Sequence, residues 1–273
     1  MYNEPQLYDM YNALPEQTRA VLTRREYVWL AAGCDNAAGS TDGDTLDSRV
    51  ARRLSGEPLQ YIIGDWDFYG HTFYVGRGVL IPRPETEMIV EAALSRIGGA
   101  GGSAGGRRYG YVEDWCAGSG CVGISVALAV SGVTVTCVER DSAAFAVLSR
   151  NNARYNNAAV CRRGDIFRRV RDVRDGTLIL VNPPYLNKDE MRELQPEVAY
   201  EPAVALYGGK DGLYFYRRIA ELLPLLLSRG CGVIAEVGDT QGETVAALWR
   251  ERGAVVRIMY DYSGHGRVVT VES

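Results

Sequence analysis

The sequence predicts an α/β fold in which a doubly wound, mostly parallel sheet with an antiparallel last strand follows a small helical domain and a β-hairpin link. After Tyr109, short β-branched runs alternate with helical stretches, which is the pattern of βαβ crossovers. The last two strands have no helix between them, so the final strand is expected to run antiparallel. Before residue 65, apolar residues instead recur at the three- and four-residue spacing of helices.

The composition is that of a globular protein with a core large enough to be stable by itself. The chain has 273 residues, of which 47% are hydrophobic and 23% charged. Its formal net charge of −4 disfavours direct binding to duplex nucleic acid, since such binding depends on positive charge. No apolar run reaches the ~20 residues of a membrane span, and the acidic N-terminus is unlike a signal peptide. We therefore expect a cytoplasmic protein with no membrane partner.

The cysteines and histidines predict neither disulfides nor a metal site. The 6 cysteines are scattered without a CxxC pair, and several lie in apolar runs. This is typical of small buried thiols in a reducing compartment. His71 and His265 are too few for a histidine-based metal centre.

The elements before the sheet follow from local spacing. Helices are expected over LPEQTRAVLTRREYVWLAAG and DSRVARRLSGEPLQYIIG, with Asp44 or Thr45 as an N-cap and with Gly33 and Gly56 as helix stops. Aromatic and β-branched pieces on both sides of Gly70 predict the hairpin. A helix should follow the proline of PETE, with a buried stripe of Met88, Ile89, Ala92, Ala93 and Leu94. The stretch IGGAGGSAGG, residues 97–106, is expected to be a flexible surface loop.

The elements of the sheet domain alternate in strict order. The expected strands are 111–115, 133–139, 159–163, 177–182, 231–238, 255–261 and 266–273, and the expected helices are 121–130, 142–156, 212–229 and 242–253. A doubly wound sheet binds its ligand at the carboxyl ends of the strands, where the strand order reverses. The chemistry should therefore lie in the loops that follow Trp115, Glu139, Arg163 and Asn182.

A glycine-rich loop, DWCAGSGCVG at 114–123, follows the first strand of the sheet and opens a helix. Its GxGxxG spacing lets the backbone approach a ligand closely, and Glu139 at the end of the next strand can accept hydrogen bonds from both ribose hydroxyls. Asp165 could accept a hydrogen bond from an adenine amine while Ile166 or Phe167 packs on the ring, although a turn or cap role stays open. The loop predicts nucleoside binding and leaves NAD and S-adenosylmethionine as alternatives.

The tetrapeptide Asn-Pro-Pro-Tyr at 182–185 follows the buried strand TLILV and faces the proposed cofactor. The Asn182 side-chain oxygen and the Pro183 carbonyl can each accept one hydrogen of a substrate –NH2, and Tyr185 can stack on the planar group that carries it. Accepting both N–H bonds returns electron density to a delocalised nitrogen and positions it for attack. Hydride transfer has no use for this arrangement, whereas methyl transfer to an –NH2 on an sp2 carbon does.

NPPY after the fourth strand, together with the GxG loop, resembles the amino-methylating class of S-adenosylmethionine-dependent methyltransferases. Within that class the chain resembles the HemK family, the protein-(glutamine) methyltransferases of peptide chain release factors. The resemblance covers nearly the whole chain. The segments that carry it are GEPLQYIIG (56–64), VLIPRPETE (79–87), DWCAGSGCVGISVALA, YEPAVAL (200–206) and DYSGHGRVV.

The resemblance implies a helical substrate-recognition domain at 1–64, a β-hairpin link at 65–80 and a Rossmann-like methyltransferase domain at 81–273. It also implies S-adenosylmethionine as methyl donor, no metal, and a release factor as the protein substrate. By position, the residues at the methionine and ribose part of the cofactor are Asp114, Cys116, Ala117, Gly118, Ser119 and Gly120, with Glu139 on the ribose hydroxyls and Asp165 and Ile166 on the adenine. The residues that hold the glutamine amide are Asn182, Pro183, Pro184 and Tyr185, of which Asn182 also adjoins the cofactor.

Three residues depart from the family pattern without removing a group that the chemistry needs. Cys116 stands where the motif often has its first glycine, Trp115 is larger than the usual aliphatic residue, and Ile166 is a weaker stacking surface than an aromatic ring. Two alternative functions stay open. One is an adenine-amine methyltransferase acting on nucleic acid, which would share NPPY; the other is an NAD-dependent or non-catalytic adenosine-binding protein.

Several charged residues have two possible interpretations. Arg83, Glu85 and Glu87 could be a salt-bridged helix start or a group beside the active site. Glu201 is interpreted as structural, and Arg267 as a surface charge. The N-terminal arginines could dock a protein partner or could form the solvated face of a helical cap. These arginines are Arg19, Arg24, Arg25, Arg49, Arg52 and Arg53.

Overall fold

A computed structural model describes residues 4–36, 45–98 and 109–272 of the chain. The N-terminal helices are α1 (Glu4–Asn12), α2 (Glu16–Val21), α3 (Arg24–Asn36), α4 (Leu46–Leu54) and α5 (Leu59–Ile63). The hairpin strands are β1 (Asp65–Phe68) and β2 (His71–Tyr74), and α6 (Glu87–Gly98) follows them. The remaining elements are β3 (Tyr111–Trp115), α7 (Cys121–Ala129), β4 (Thr134–Glu139), α8 (Ser142–Arg154), β5 (Val160–Arg163), α9 (Ile166–Arg169), β6 (Thr177–Val181), α10 (Ala203–Leu206), α11 (Tyr214–Ser228), β7 (Gly232–Glu236), α12 (Gly242–Arg250), β8 (Val255–Tyr260) and β9 (Gly266–Glu272).

Strands β3 to β9 form one sheet in the order β5-β4-β3-β6-β7-β9-β8. The pairs from β5 to β7 are parallel, whereas β9 runs antiparallel to both β7 and β8. The order reverses between β3 and β6, which is where a doubly wound sheet binds its ligand. The predicted fold class, including the antiparallel last strand, is confirmed.

Helices cover both faces of this sheet because its central strands are apolar on both sides. All residues of β6 and β7 are buried, as expected for central parallel strands. The hairpin and α6, α7 and α8 pack on one face around a cluster that includes Phe73 and Ile124. Helices α9, α11 and α12 pack on the other face around a cluster that includes Trp115 and Trp249.

The helices α1, α3, α4 and α5 pack around an apolar cluster of their own, to which Leu22 after α2 also belongs. It contains the buried residues Leu7, Leu22, Tyr27, Leu30, Ala31, Val50, Leu59 and Ile62. This separate cluster supports the predicted helical domain at 1–64. The boundary of that domain at residue 64 stays a prediction. Contacts also join these helices to the rest of the chain, because Arg53 pairs with Glu197 and the Tyr61 hydroxyl donates to the Val79 carbonyl.

The expected helix over LPEQTRAVLTRREYVWLAAG is interrupted, and the helix stop expected at Gly33 is wrong. The break lies at Leu22 and Thr23, and α3 continues through Gly33. Thr23 and Glu26 form a capping box, in which the Thr23 hydroxyl accepts from the Glu26 N–H at 3.2 Å and Glu26 accepts from the Thr23 N–H at 2.8 Å. This local signal was present in the sequence as TRRE.

Other local predictions have mixed outcomes. The Thr45 hydroxyl caps α4 by accepting from the Ser48 N–H, while Asp44 lies outside the described residues. Gly56 follows the end of α4 with a φ of 88°, as expected of a helix stop. In the predicted loop at 97–106, residues 97 and 98 belong to α6, and residues 99–106 lie outside the described residues. The short helices α9 and α10 were not predicted, because a single turn carries almost no periodicity.

The cysteines whose side chains the structure describes are free thiols. Cys121, Cys137 and Cys231 are buried, and Cys116 and Cys161 are half-buried. Within 4–36, 45–98 and 109–272, no helix combines the length and the apolar character that crossing a membrane would require.

Candidate active site

The register of the central strands brings the predicted loops to one level. Trp115 at the end of β3 pairs with Val138 in β4 and with Val181 in β6. The residues that follow these positions are therefore neighbours at one edge of the sheet, where a cleft opens. Predicted site residues that line this cleft are Asp114, Cys116, Ala117, Gly118, Ser119, Glu139, Asp165, Ile166, Asn182 and Pro184.

The glycines of the loop serve two different purposes. Gly118, with φ of 55°, lines the cleft, and a Cβ there would come no closer than 3.7 Å to Val79. A Cβ on Gly120 would lie 2.4 Å from Leu148, and one on Gly123 would lie 2.5 Å from the Cys137 sulfur. Gly120 and Gly123 are thus required for packing α7 against the sheet and α8. The role of Gly120 at the cofactor stays a prediction.

Cys116 adopts the left-handed conformation, with φ of 59°. Glycine occupies this region with less strain than other residues do. Although cysteine replaces the family's glycine here, the loop therefore keeps a backbone conformation that glycine would adopt easily. Burial raises the pKa of the Cys116 thiol, so the side chain is a neutral, apolar part of the cleft wall.

Glu139 is held by two backbone donors. Its Oε2 accepts from the Gly118 N–H at 2.9 Å, and its Oε1 accepts from the Asp141 N–H at 2.7 Å. Each carboxylate oxygen has a second lone pair. The carboxylate is therefore oriented by the loops that follow β3 and β4 and can still accept two hydroxyl groups from a ligand.

Asp114 is a buried carboxyl near the end of β3, and it contacts the first turn of α7. It is 2% exposed, and its Oδ2 accepts from the Gly123 N–H at 2.9 Å. Burial, with a smaller contribution from the Glu139 charge, raises the pKa of Asp114 to about 7. A cationic ligand group in the cleft would favour the ionised form of this carboxyl.

The far end of the cleft is aromatic. Asp165 caps α9 by accepting from the Phe167 N–H at 2.9 Å, and Ile166 is buried beside it. Phe167 lies against Tyr214 and Phe215, with ring centroids 6.4 and 5.8 Å away. The sequence interpretation named Ile166 and Phe167 but missed the two aromatic residues of α11, whose only signal was the run YFY at the helix start.

The NPPY loop is held in place by hydrogen bonds to Thr86, Glu236 and Gln241. The Asn182 Nδ2 donates to the Thr86 hydroxyl oxygen at 3.3 Å, and the Tyr185 hydroxyl donates to Glu236 at 3.4 Å. The Tyr185 carbonyl accepts from Gln241 at 2.9 Å. Asn182 and Pro184 line the cleft; Pro183 is buried and Tyr185 half-buried, and neither contributes to the cleft lining. Their roles at a substrate stay predictions.

The segment before α6 closes one side of the cleft. Its residues that line the cleft are Gly78, Val79, Leu80, Pro82 and Thr86. Glu201 holds this segment, because it accepts from the Ile81 N–H at 2.9 Å and pairs with Arg83. These cleft residues were missed as site residues, although the VLIPRPETE and YEPAVAL segments both carry the family resemblance.

The charged residues around this segment do not pair with one another. Arg83 pairs with Glu201, while the Glu87 carboxylate accepts from the Tyr69 N–H at 2.8 Å and Glu85 is exposed. The interpretation of these three residues as a mutually salt-bridged helix start is therefore wrong. The structural role of Glu201 is confirmed by its burial and its two partners.

The interpretation of Arg267 as a surface charge is wrong. It is 8% exposed and pairs with Asp239 at 2.6 Å and Asp261 at 3.1 Å. It also donates to the Val237 carbonyl at 3.3 Å. Arg267 thus ties β9 to the loop that follows β7, directly behind the NPPY loop.

Comparisons with known proteins show which proteins this chain is similar to. The family model described as methyltransferase small domain matches residues 106–200. The release factor glutamine methyltransferase of Thermodesulfovibrio yellowstonii is 36% identical over 85% of this chain and 82% of its own length. That of Geobacter sulfurreducens is 40% identical over 75% of this chain and 69% of its own length. A crystal structure of a methyltransferase from Pyrococcus furiosus, 20% identical, has a TM-score of 0.51 over 83% of this chain and 98% of that one, which shows a shared fold.

Proposed function

The chain belongs to the family of release factor glutamine methyltransferases, and we propose that it methylates the side-chain amide nitrogen of the glutamine in the Gly-Gly-Gln loop of a peptide chain release factor. The observation that carries this proposal is the position of Asn182 in the same cleft as Gly118 and Glu139. This position would put the Asn182 amide beside the site proposed for the nucleoside. Modification of a release factor would affect translation termination, and it implies a cytoplasmic enzyme.

The cleft fits S-adenosylmethionine as the methyl donor. Gly118 lines the cleft without a side chain, so a ligand can approach its backbone, and Glu139 is oriented to accept two hydroxyl groups. Asp114 offers a carboxylate to a cationic group, and the Ile166 and Phe167 end offers an apolar surface to a base. When bound there, this cofactor would supply an electrophilic methyl group on a sulfonium.

Asn182 and Pro183 would hold the glutamine amide by accepting its two N–H groups, through the side-chain Oδ1 and the backbone carbonyl. Because the Asn182 Nδ2 already donates to Thr86, Oδ1 is the atom of this amide that can serve the substrate. Both acceptors raise the electron density on the substrate nitrogen and align it for direct attack. After transfer, the nitrogen loses its extra proton to water or to the same acceptors.

Mass spectrometry of a purified release factor incubated with the protein and S-adenosylmethionine tests the proposed function. We expect a mass gain of one methyl group, located by fragmentation at the Gly-Gly-Gln glutamine and absent when that glutamine is replaced. Single-stranded and duplex nucleic acids carrying adenine serve as alternative substrates in parallel. Methylation of adenine in place of the release factor would overturn the proposal.

A further inference from the structure

The side chain of Gln241 joins the NPPY loop to the loop that follows β7. Its Oε1 accepts from the Gly238 N–H at 3.0 Å, and its Nε2 donates to the Tyr185 carbonyl at 2.9 Å. A backbone N–H only donates and a backbone carbonyl only accepts, so these two partners allow the Gln241 amide a single orientation. The last residue of NPPY is thereby tied to the neighbouring loop by a hydrogen bond of fixed direction.

The helix that begins after Gln241 does not account for this side chain. Gln241 is the N-cap residue of α12, a position where a side chain usually accepts from the first turn of its own helix. Within the described part of the chain, the Gln241 side chain makes no such capping bond. It reaches Tyr185 instead, 56 residues away in the sequence. The length and the amide of this side chain therefore serve the contact with NPPY.

The two prolines stiffen NPPY but cannot anchor it. Pro183 and Pro184 have no backbone N–H, and a proline restricts both its own φ and the conformation of the residue before it. The loop is therefore held at its ends, and a movement at Tyr185 is passed on to the Pro183 carbonyl. The peptide unit between Tyr185 and Leu186 is held on both sides, because the Leu186 N–H donates to the Leu206 carbonyl at 2.8 Å.

Gly212 leaves the space in which the bond from Gln241 to Tyr185 forms. Its φ is 75°, and a Cβ there would lie 2.3 Å from the Tyr185 carbonyl oxygen and 2.6 Å from the Gln241 Nε2. A side chain at this position would therefore displace the hydrogen bond. A Cβ on Gly238 would likewise lie 3.1 Å from the Gln241 Oε1. Two further segments of the chain are thus shaped around the same amide.

We propose that Gln241 is a positioning residue for methyl transfer, which holds the Tyr185 carbonyl and thereby keeps the Pro183 carbonyl and the Tyr185 ring in place for the glutamine amide. The inference rests on the proposed function, since it assumes that NPPY holds this amide. Gln241 is not among the residues that line the cleft, and it acts through Tyr185.

Gln241→Glu is the sharpest variant, because it keeps the length of the side chain and the acceptor for Gly238 but replaces the donor to Tyr185 with a second acceptor. We expect kcat on the release factor to fall about 10- to 100-fold, as for a small misplacement of a group that positions the substrate. KM for S-adenosylmethionine should stay within a few-fold, because the loops after β3 and β4 are unchanged. Thr244→Glu is the matched control, since it adds a carboxylate at an exposed position in the first turn of α12 and should change neither quantity.

A second variant and a second substrate separate positioning from charge and from docking. Gln241→Met removes the donor without adding a charge, and it should lower kcat by a similar factor. Both variants should lose the same factor on a short Gly-Gly-Gln peptide as on the full-length release factor, since the defect lies at the reacting amide. Equilibrium binding of S-adenosylmethionine and the thermal midpoint show that each variant is folded.

The outcomes separate this inference from the proposed function. If the wild-type protein does not methylate the release factor, the proposed function fails. If the wild-type protein is active and either variant of Gln241 keeps its full kcat, only the positioning role fails. A loss confined to the full-length release factor, or a loss of kcat that merely follows weaker cofactor binding and a lowered thermal midpoint, would also overturn the inference.

Discussion

Asn182 is the side chain on which the proposed chemistry depends most directly. Replacing it with alanine removes the Oδ1 acceptor and leaves the cradle around Gly118 and Glu139 intact. We expect Asn182→Ala to lower kcat by about 10²–10³, the range for removal of one preorganised polar contact. Turnover of the release factor measures kcat, and equilibrium binding of S-adenosylmethionine should stay within a few-fold of wild type. Near-normal turnover would contradict the amide clamp.

Glu139 should act on cofactor binding and not on the chemical step. Hydrogen bonds to ribose are the same before and during methyl transfer, so they contribute uniform binding. Glu139→Ala should weaken the binding of S-adenosylmethionine by about 1.5–3 kcal/mol, which is roughly 10- to 140-fold in KM. Steady-state kinetics at saturating cofactor would show a kcat within a few-fold of wild type. A large loss of kcat under those conditions would count against this assignment.

Asp114 should make cofactor binding depend on pH. Burial raises the pKa of this carboxyl to about 7, so it is ionised above that pH and neutral below it. A cationic group of the cofactor is stabilised only by the ionised form. The dissociation constant of S-adenosylmethionine should therefore rise as the pH falls below 7, approaching about tenfold per unit. Calorimetry between about pH 8 and pH 5.5, the range over which this carboxyl changes charge, measures the effect.

The control for this pH dependence is Asp114→Asn, which cannot ionise. This variant should bind the cofactor weakly at every pH and should lose the slope below pH 7. A wild-type affinity that did not change over the range would show that Asp114 does not pair with the cofactor.

At the scale of elements, helix α7 approaches the sheet closely only because position 123 has no side chain. A Cβ on Gly123 would lie 2.5 Å from the Cys137 sulfur and 2.9 Å from the Asp114 Cβ. We expect Gly123→Ala to destabilise the protein by about 1–3 kcal/mol through overpacking. Chemical denaturation measures this change in the free energy of unfolding.

Gly110→Ala is the matched control for that substitution. A Cβ on Gly110 would meet no heavy atom within 4 Å beyond its chain neighbours, and the φ of this residue is not in the left-handed region. Its effect on stability should be within about 0.5 kcal/mol. Equal losses from the two variants would show that the contact between α7 and the sheet is not the cause.

At the scale of the whole molecule, the N-terminal arginines divide into internal and exposed groups. Arg49 is 1% exposed, and Arg53 pairs with Glu26 and Glu197. These two stabilise the helical part and its contact with the rest of the chain. Arg24 and Arg25 are exposed and lie over the rings of Tyr8 and Trp29. Arg19 is exposed as well. A docking surface for the release factor would therefore use exposed arginines, of which Arg24 and Arg25 are adjacent.

Reversing the charge of this pair tests the docking surface. Arg24→Glu/Arg25→Glu should raise KM for the full-length release factor about tenfold or more, because rim charges act mainly on association. Activity on a short Gly-Gly-Gln peptide, which cannot reach the helices, should stay the same. If KM for the release factor did not change, the helices would be a structural cap only.

The amino-acid sequence by itself determined the type and order of the strands and main helices, because hydrophobic periodicity is a local property. It also determined the NPPY and glycine-loop motifs, since each is a contiguous run. The capping box at Thr23 and Glu26 was equally local, and the helix break there was predictable from it.

Tertiary structure alone decided which groups meet at the cleft. Asn182 contacts Thr86 across 96 residues of sequence, and Arg83 pairs with Glu201 across 118. It likewise separated Gly118, which lines the cleft, from Gly120, which packs against Leu148. Such contacts depend on strand order and helix packing, which arise from the burial of many apolar side chains at once and leave no local pattern in the sequence.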